Sequence, residues 1–170
     1  MKALDKAIES DPQNSMAWNN KGAVLDQLGK SNEAIKALDK AIEIDPQNLM
    51  AWDNKGSALA HLDKYCEALK AYDKAIEINP RYSNAWINKG EALANLGKSE
   101  EAIKEYDKAL EVNPHASKAW YNKGLALDDL GKSDEAIKAY DKAIETNSHY
   151  SDVGHNNKKF IYNKLNKFAL

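Results

Sequence analysis

Apolar and small residues return along this chain every 34 residues. Trp18, Trp52, Trp86 and Trp120 keep that interval without a slip, as do Gly22, Gly56, Gly90 and Gly124, and Ala34, Ala68, Ala102 and Ala136. Internal periods of this size mark repeat architectures. Within one interval the pattern is helical: between Ala17 and Leu28, the residues Trp18, Gly22, Leu25 and Leu28 fall on one stripe of a 3.6-residue period. A stripe of that kind predicts a first helix covered by a partner. Gly22 costs about 1 kcal/mol of helix propensity relative to Ala, which is tolerable where the bare Cα admits a close neighbour, and Ala34 and Ala41 complete the contact. The partner is predicted to begin after Gly29-Lys30-Ser31, with Ser31 capping the free N–H groups and Glu33 near the positive end of the dipole. Asp45-Pro46 ends it. Truncating a buried Trp in such a stack is expected to cost roughly 3–5 kcal/mol.

Counting from Ser15 as position 1, each unit has Trp at 4, Gly at 8, Leu at 11, Ala at 20, Leu or Tyr at 24, Ala at 27 and, with one exception, Pro at 32. This pattern resembles the tetratricopeptide repeat, in the tandem form met in prokaryotes and archaea. It departs from the family at three places: Leu stands at 11 where an aromatic is usual, Leu38 stands at 24, and Ser148 replaces the last Pro. The predicted organisation is a partial N-terminal repeat over 1–14, whole units over 15–48, 49–82, 83–116 and 117–150, and a C-terminal capping helix over 151–170. The resemblance implies an all-α fold, an alpha-alpha superhelix (solenoid) held by nearest-neighbour interfaces, and a protein-protein interaction scaffold rather than an enzyme.

The two ends differ from the middle. Met1 to Asn14 supplies a second helix through Leu4, Ala7 and Pro12, but no first helix precedes it. Leu4 and Ile8 therefore lack a partner, which predicts an open edge: either the chain is a fragment of a longer array, or another copy covers the edge by self-association. Ser151 to Leu170 starts in register as a first helix, with Asn156 at position 6 and Ile161 at 11, but Gly154 replaces Trp and Lys158 replaces Gly. It reads as a solvating cap. The alternative is a membrane-surface or partner helix carrying Lys158, Lys159, Lys164 and Lys167 beside Phe160, Ile161, Leu165 and Phe168.

Composition narrows the partners. With a net charge of −2 and a pI near 6.1 there is no basic field for a phosphate backbone, so nucleic acid is excluded as the expected ligand. Cys66 is the only cysteine, which rules out an intramolecular disulfide and suits a reducing, cytoplasmic setting. The N-terminal residues are charged every few positions and form neither a signal peptide nor a membrane span. Gly-Lys-Ser at Gly29, Gly97 and Gly131 lacks the earlier Gly of a phosphate loop, since those places hold Val24, Ala92 and Ala126. His61, His115, His149 and His155 have no metal-ligand spacing on one helix face. No cofactor, metal or catalytic residue is expected.

What remains is one face of the first helices. Positions 2, 6, 9 and 13 lie within about 60° of one another, opposite the Trp stripe, and in the family they line a concave groove. Here they are Met16, Asn20, Ala23 and Gln27; Met50, Asn54, Ser57 and His61; Asn84, Asn88, Glu91 and Asn95; and Lys118, Asn122, Leu125 and Asp129. Asn19, Asp53, Ile87 and Tyr121 at position 5 flank them. The Asn at position 6 in every unit resembles the asparagine ladder of O-linked N-acetylglucosamine transferases, whose repeat domain it would imply as a grip on an extended peptide backbone. The two-carboxylate clamp of chaperone-binding members is missing, because position 5 is never Lys and position 6 never Arg. The expected ligand is therefore a protein or peptide segment that is basic or apolar, held by the groove. Two other readings compete with it: a structural element stacking end to end, and a regulatory part of a larger enzyme.

Overall fold

The structure is a computed structural model that describes residues 1–167. Phe168 and the side chains of Ser148, Lys164, Leu165 and Lys167 lie outside the described residues, so the basic-apolar face expected of the last helix is placed only through its earlier members. Ten α-helices and no strand occur among the described residues, and the fold is all-α, as expected. They are α1 (Lys2–Ser10), α2 (Ser15–Gln27), α3 (Ser31–Ile44), α4 (Leu49–Ala60), α5 (Tyr65–Ile78), α6 (Ser83–Asn95), α7 (Ser99–Val112), α8 (Ser117–Asp129), α9 (Ser133–Thr146) and α10 (Ser151–Lys167), with a 3-10 turn at Ser148–Tyr150 before the last. They fall into two compact units, Met1–Ala92 and Leu93–Leu170.

In the first unit α2 pairs with α3 and α4 with α5, and the small positions set the spacing. Ala34, Leu38, Ala41, Ala51 and Ala58 are completely buried. A Cβ on Gly22 would lie 2.5 Å from Leu38 Cγ, and one on Gly56 would lie 2.4 Å from the Tyr72 ring. The second unit repeats the device with Gly124, where a Cβ would come 2.5 Å from the Tyr140 ring. Leu127, Ala136, Ala139, Tyr140 and Ile161 form its core. The turns inside the hairpins need a left-handed residue: Gly29 and Gly131 have φ of +74° and +73°, and Asp63 takes the same place at +58°. The Tyr65 hydroxyl donates to Asp63 Oδ1 at 2.8 Å, which ties down that less favourable residue.

Three local expectations are corrected. Leu28 is 63% exposed, because α2 stops at Gln27 and Leu28 follows as its C-cap, outside the buried stripe. Ser31 does not cap α3. Lys30 occupies that place without a side-chain bond, and Ser31 Oγ instead donates to Asp26 Oδ1 at 2.7 Å, tying α3 to α2. The tryptophans are half-buried rather than fully enclosed. Each indole Nε1 donates to the carbonyl of the proline six residues earlier, Trp18 to Pro12 and Trp52 to Pro46 at 3.0 Å, Trp86 to Pro80 and Trp120 to Pro114 at 2.9 Å. The Lys at position 7 lies 5.5–5.8 Å from the ring centroid and pairs with the Asp at position 25 of the preceding helix, as Lys55 does with Asp39 at 2.6 Å. Truncating one of these tryptophans therefore removes a partly solvated contact, and its cost falls below that of a core aromatic.

The last helix is displaced by one residue from the sequence register. Asn157, not Asn156, bonds to the preceding first helix, and Lys158 pairs with Asp141 as Lys123 pairs with Asp107. Gly154 and Ile161 are buried, while Val153 and Phe160 are 44% and 65% exposed. The cause is steric. Position 3 holds a buried alanine in every unit, and a Cβ on Gly154 would already lie 2.9 Å from Ile144 Cδ1. Val153 in that slot would have to displace the Ile144 side chain, whereas Gly154 fills it without doing so. The missing Pro at Ser148 leaves the preceding turn free to absorb the change.

Candidate functional site

The predicted groove positions are best followed one unit at a time. In Met1–Ala92 the first helices present Met16, which is 67% exposed, and Met50, which is 44% exposed, at the same position of neighbouring repeats. Asn20, Gln27, His61 and Asn84 are exposed beside them, and Asn54, Asn88 and Glu91 are half-buried. Asn19, Asp53 and Ile87 lie beneath this row, each at most 6% exposed, and are out of reach of a ligand at the surface. In Leu93–Leu170, Asn95, Lys118 and Asp129 are exposed and Tyr121 and Asn122 half-buried.

The asparagines at position 6 are already engaged. Asn54 Nδ2 donates to Asn19 Oδ1 at 2.9 Å, and Asn88 Nδ2 donates to Asp53 Oδ1 at 3.0 Å. The Tyr82 hydroxyl donates to the other Asp53 oxygen at 3.2 Å, so the buried carboxylate is shared between two neighbouring elements. A buried acceptor with partners on both oxygens is structurally sound, whereas one stripped of them is costly. These amides thus staple one repeat to the next, and only their second N–H and their oxygen remain for a ligand. Sequence reasoning missed the staples because a polar residue beside a groove reads as a surface residue. The recurring separation of 35 residues between positions 5 and 6 of successive units was the available signal.

In the second unit the same node is aromatic. Tyr121 packs against Tyr140 and Tyr150, with ring centroids 5.8 and 5.1 Å apart, and its hydroxyl accepts from Asn157 Nδ2 at 3.3 Å. Burial pushes the Tyr140 hydroxyl well above the usual tyrosine range, with Asp128 adding to the effect. Tyr72 in the first unit is raised in the same way, by burial first, and Tyr82 is raised by burial and by Asp53. All three are held as protonated phenols.

One further contact crosses neighbouring first helices. His61 Nδ1 lies 3.0 and 3.1 Å from the two oxygens of Asp26, which Ser31 also reaches. Among the described residues no group of three or more His, Cys, Asp and Glu side chains could hold a metal ion, and no helix is long and apolar enough to cross a membrane. Cys66, His149 and His155 are exposed.

Helical hairpins closed by a small residue thus recur every 34 residues. The tetratricopeptide repeat profiles match residues 15–48, 54–111 and 87–151, more than half of the chain. The chain belongs to the tetratricopeptide repeat family. A protein prenyltransferase alpha subunit repeat also matches residues 1–28, the stretch of α1 and α2. No curated protein matches. Among solved structures, one of MamA is 29% identical with a TM-score of 0.77, covering 89% of this chain and 88% of that one. YrrB, described as a tetratricopeptide repeat protein with an unusual peptide-binding site, is 23% identical with a TM-score of 0.75, covering 96% and 84%. TTC0263 of Thermus thermophilus, a thermophilic protein of the same family, is 20% identical with a TM-score of 0.80, covering 94% and 87%. The likenesses below 25% identity speak to the fold alone. A tetratricopeptide repeat fold implies a protein-protein interaction scaffold.

Proposed function

We propose that this tetratricopeptide repeat chain binds an extended peptide or a helix of a partner protein on the groove face of its first helices, and that the bound segment is apolar or basic. The observation that carries this reading is the exposure of Met16 and Met50 at the same position of neighbouring repeats. Unbranched, polarizable side chains adapt to many apolar partners, and two of them one repeat apart suit alternate anchors of one segment. The exposed amides of Asn20, Gln27 and Asn84 beside them supply donors and acceptors for a peptide backbone.

The staples decide how to test it. Replacing Asn54 and Asn88 would loosen the fold as well as the groove, so Met16→Glu/Met50→Glu is the better variant, because neither methionine is buried. Partners are captured from native lysate with the intact chain and with the variant, at matched helicity by circular dichroism. Loss of partners with the variant is expected; an unchanged set would move the working surface elsewhere.

A second reading rests on α1. Its alanine Ala7 is exposed, whereas Ala41 and Ala75 at the same position are completely buried, and Leu4 and Ile8 are only half-covered. Self-association through that face would show as a concentration-dependent mass in sedimentation equilibrium, and a constant monomer mass would end it.

A further inference from the structure

The first unit carries an open cleft of about 510 Å³ formed by α3, α4 and the start of α5. It lies away from the methionines, because Leu59 in its floor stands half a turn round α4 from Met50. Binding clefts commonly enclose about 300–1,000 Å³. The floor is apolar, with Ile35 half-buried and Leu59 buried. The rim is charged. Lys55 is already spent, pairing with Asp39 at 2.6 Å and lying 5.5 Å from the Trp52 ring centroid. Lys36 and Lys64 are exposed, and neither side chain has a partner among the described residues. Lys30 and Lys98, at the same repeat position as Lys64, pair with the glutamate three residues on at 3.5 and 3.1 Å. Lys64 makes no such pair with Glu67, and its turn runs Asp63-Lys64 where theirs run Gly-Lys.

We propose that this cleft docks an acidic side chain of a partner protein, with an apolar neighbour of that side chain lying on Ile35. The charge balance carries the assignment. With Asp39 given to Lys55, the cleft sets Lys36 and Lys64 against Glu67, a surplus of one positive charge, and the exposed Asn32 amide adds a neutral donor. A carboxylate only accepts, so ammonium and amide donors converging on one cleft match it, and charge-assisted bonds are the stronger kind. The second unit lacks the surplus by sequence: Lys104, Lys132 and Glu135 stand at the matching positions, but Glu100 replaces Asn32. This surface is separate from the groove of the first helices and does not depend on it.

The full chain is labelled at its isoleucine δ1 methyls and titrated with pentanoate, Ile103 serving as internal control because it matches Ile35 in repeat position. A saturable shift at Ile35 is expected, absent at Ile103, weakened by salt and lost in Lys36→Gln/Lys64→Gln. Equal shifts at both methyls, or the same response to pentanamide, overturn the site. Two acetylated and amidated octapeptides of leucine and alanine, identical except for two adjacent glutamates or glutamines, are then compared by fluorescence anisotropy. The glutamate peptide is expected to bind about fivefold more tightly, as two exposed ion pairs allow, and Lys36→Gln/Lys64→Gln to erase that preference at unchanged helicity. Equal binding of the two peptides overturns the acidic protein segment, and beside a saturable pentanoate shift it assigns the cleft to a free small acid instead. Met16→Ser/Met50→Ser separates the two surfaces: it should leave the glutamate peptide bound, and loss of that peptide would place it in the groove and overturn the cleft.

Discussion

The two units close the same slot with different chemistry. In Met1–Ala92 two of the three residues at position 5, Asn19 and Asp53, are polar and each takes a bond from an asparagine of the next first helix, while the third is Ile87. In Leu93–Leu170 position 5 is Tyr121, wedged between two other tyrosines and touched by Asn157 at 3.3 Å. The backbone arrangement of the hairpins is common to both, so the fold does not dictate the node. Directional bonds tolerate little displacement, whereas ring packing tolerates a helix that has turned by one residue. The aromatic node stands beside the displaced α10, and the polar nodes stand between repeats that keep strict register.

The largest effect should come from removing the aromatic node. Tyr140→Ala, which removes the completely buried ring against which Tyr121 packs, is expected to lower stability by about 3–5 kcal/mol in denaturant unfolding, and a loss below that of Asp53→Ala would break the comparison. Asp53→Ala leaves Asn88 and the Tyr82 hydroxyl without their acceptor and should cost about 2–3 kcal/mol. A double-mutant cycle with Asn88→Ala sharpens this: a coupling of about 1 kcal/mol is expected, and none would mean that the staple is idle. Alkaline titration separates the units by their buried phenols. Tyr72 and Tyr140 are raised by burial above their unfolded value, so the unfolded chain releases those protons first. Their contribution is therefore complete below about pH 10 and falls as pH rises beyond it, by up to about 1.4 kcal/mol per pH unit for each. Tyr72→Phe and Tyr140→Phe should each flatten that slope, and an unchanged slope would show that the hydroxyl is not held. The smallest change is a gain: Asp63→Gly relieves a left-handed residue and should add about 0.5–1 kcal/mol, unless the bond from Tyr65 already offsets the strain, in which case thermal unfolding would show no rise.

Much of the fold was legible because steric demands leave marks that a sequence repeats. Gly22, Gly56 and Gly124 announce a close approach, and Gly29 and Gly131 announce a left-handed turn. The candidate site was less legible. Whether Asn54 faces a ligand or a neighbouring repeat depends on what stands 35 residues earlier, and Asn19 and Asp53 look like surface residues until the next helix covers them. The register of α10 had a clue that counting from Ser15 passed over: the small residue that matches Ala17, Ala51, Ala85 and Ala119 is Gly154, one place late. Phe160 owes its exposure to that single step.

The same step bears on how such a chain can grow by duplication. A cassette copied from residues 49–82 carries its own Trp, Lys, Asp and Pro at the intervals that its neighbours require, so an added copy extends the ladder without disturbing any rung. A cassette whose far boundary lies beyond Ser151 imports one surplus residue and offsets every pairing downstream of the joint. Duplication would therefore be tolerated within the body of the chain and rejected at the junction with its last helix.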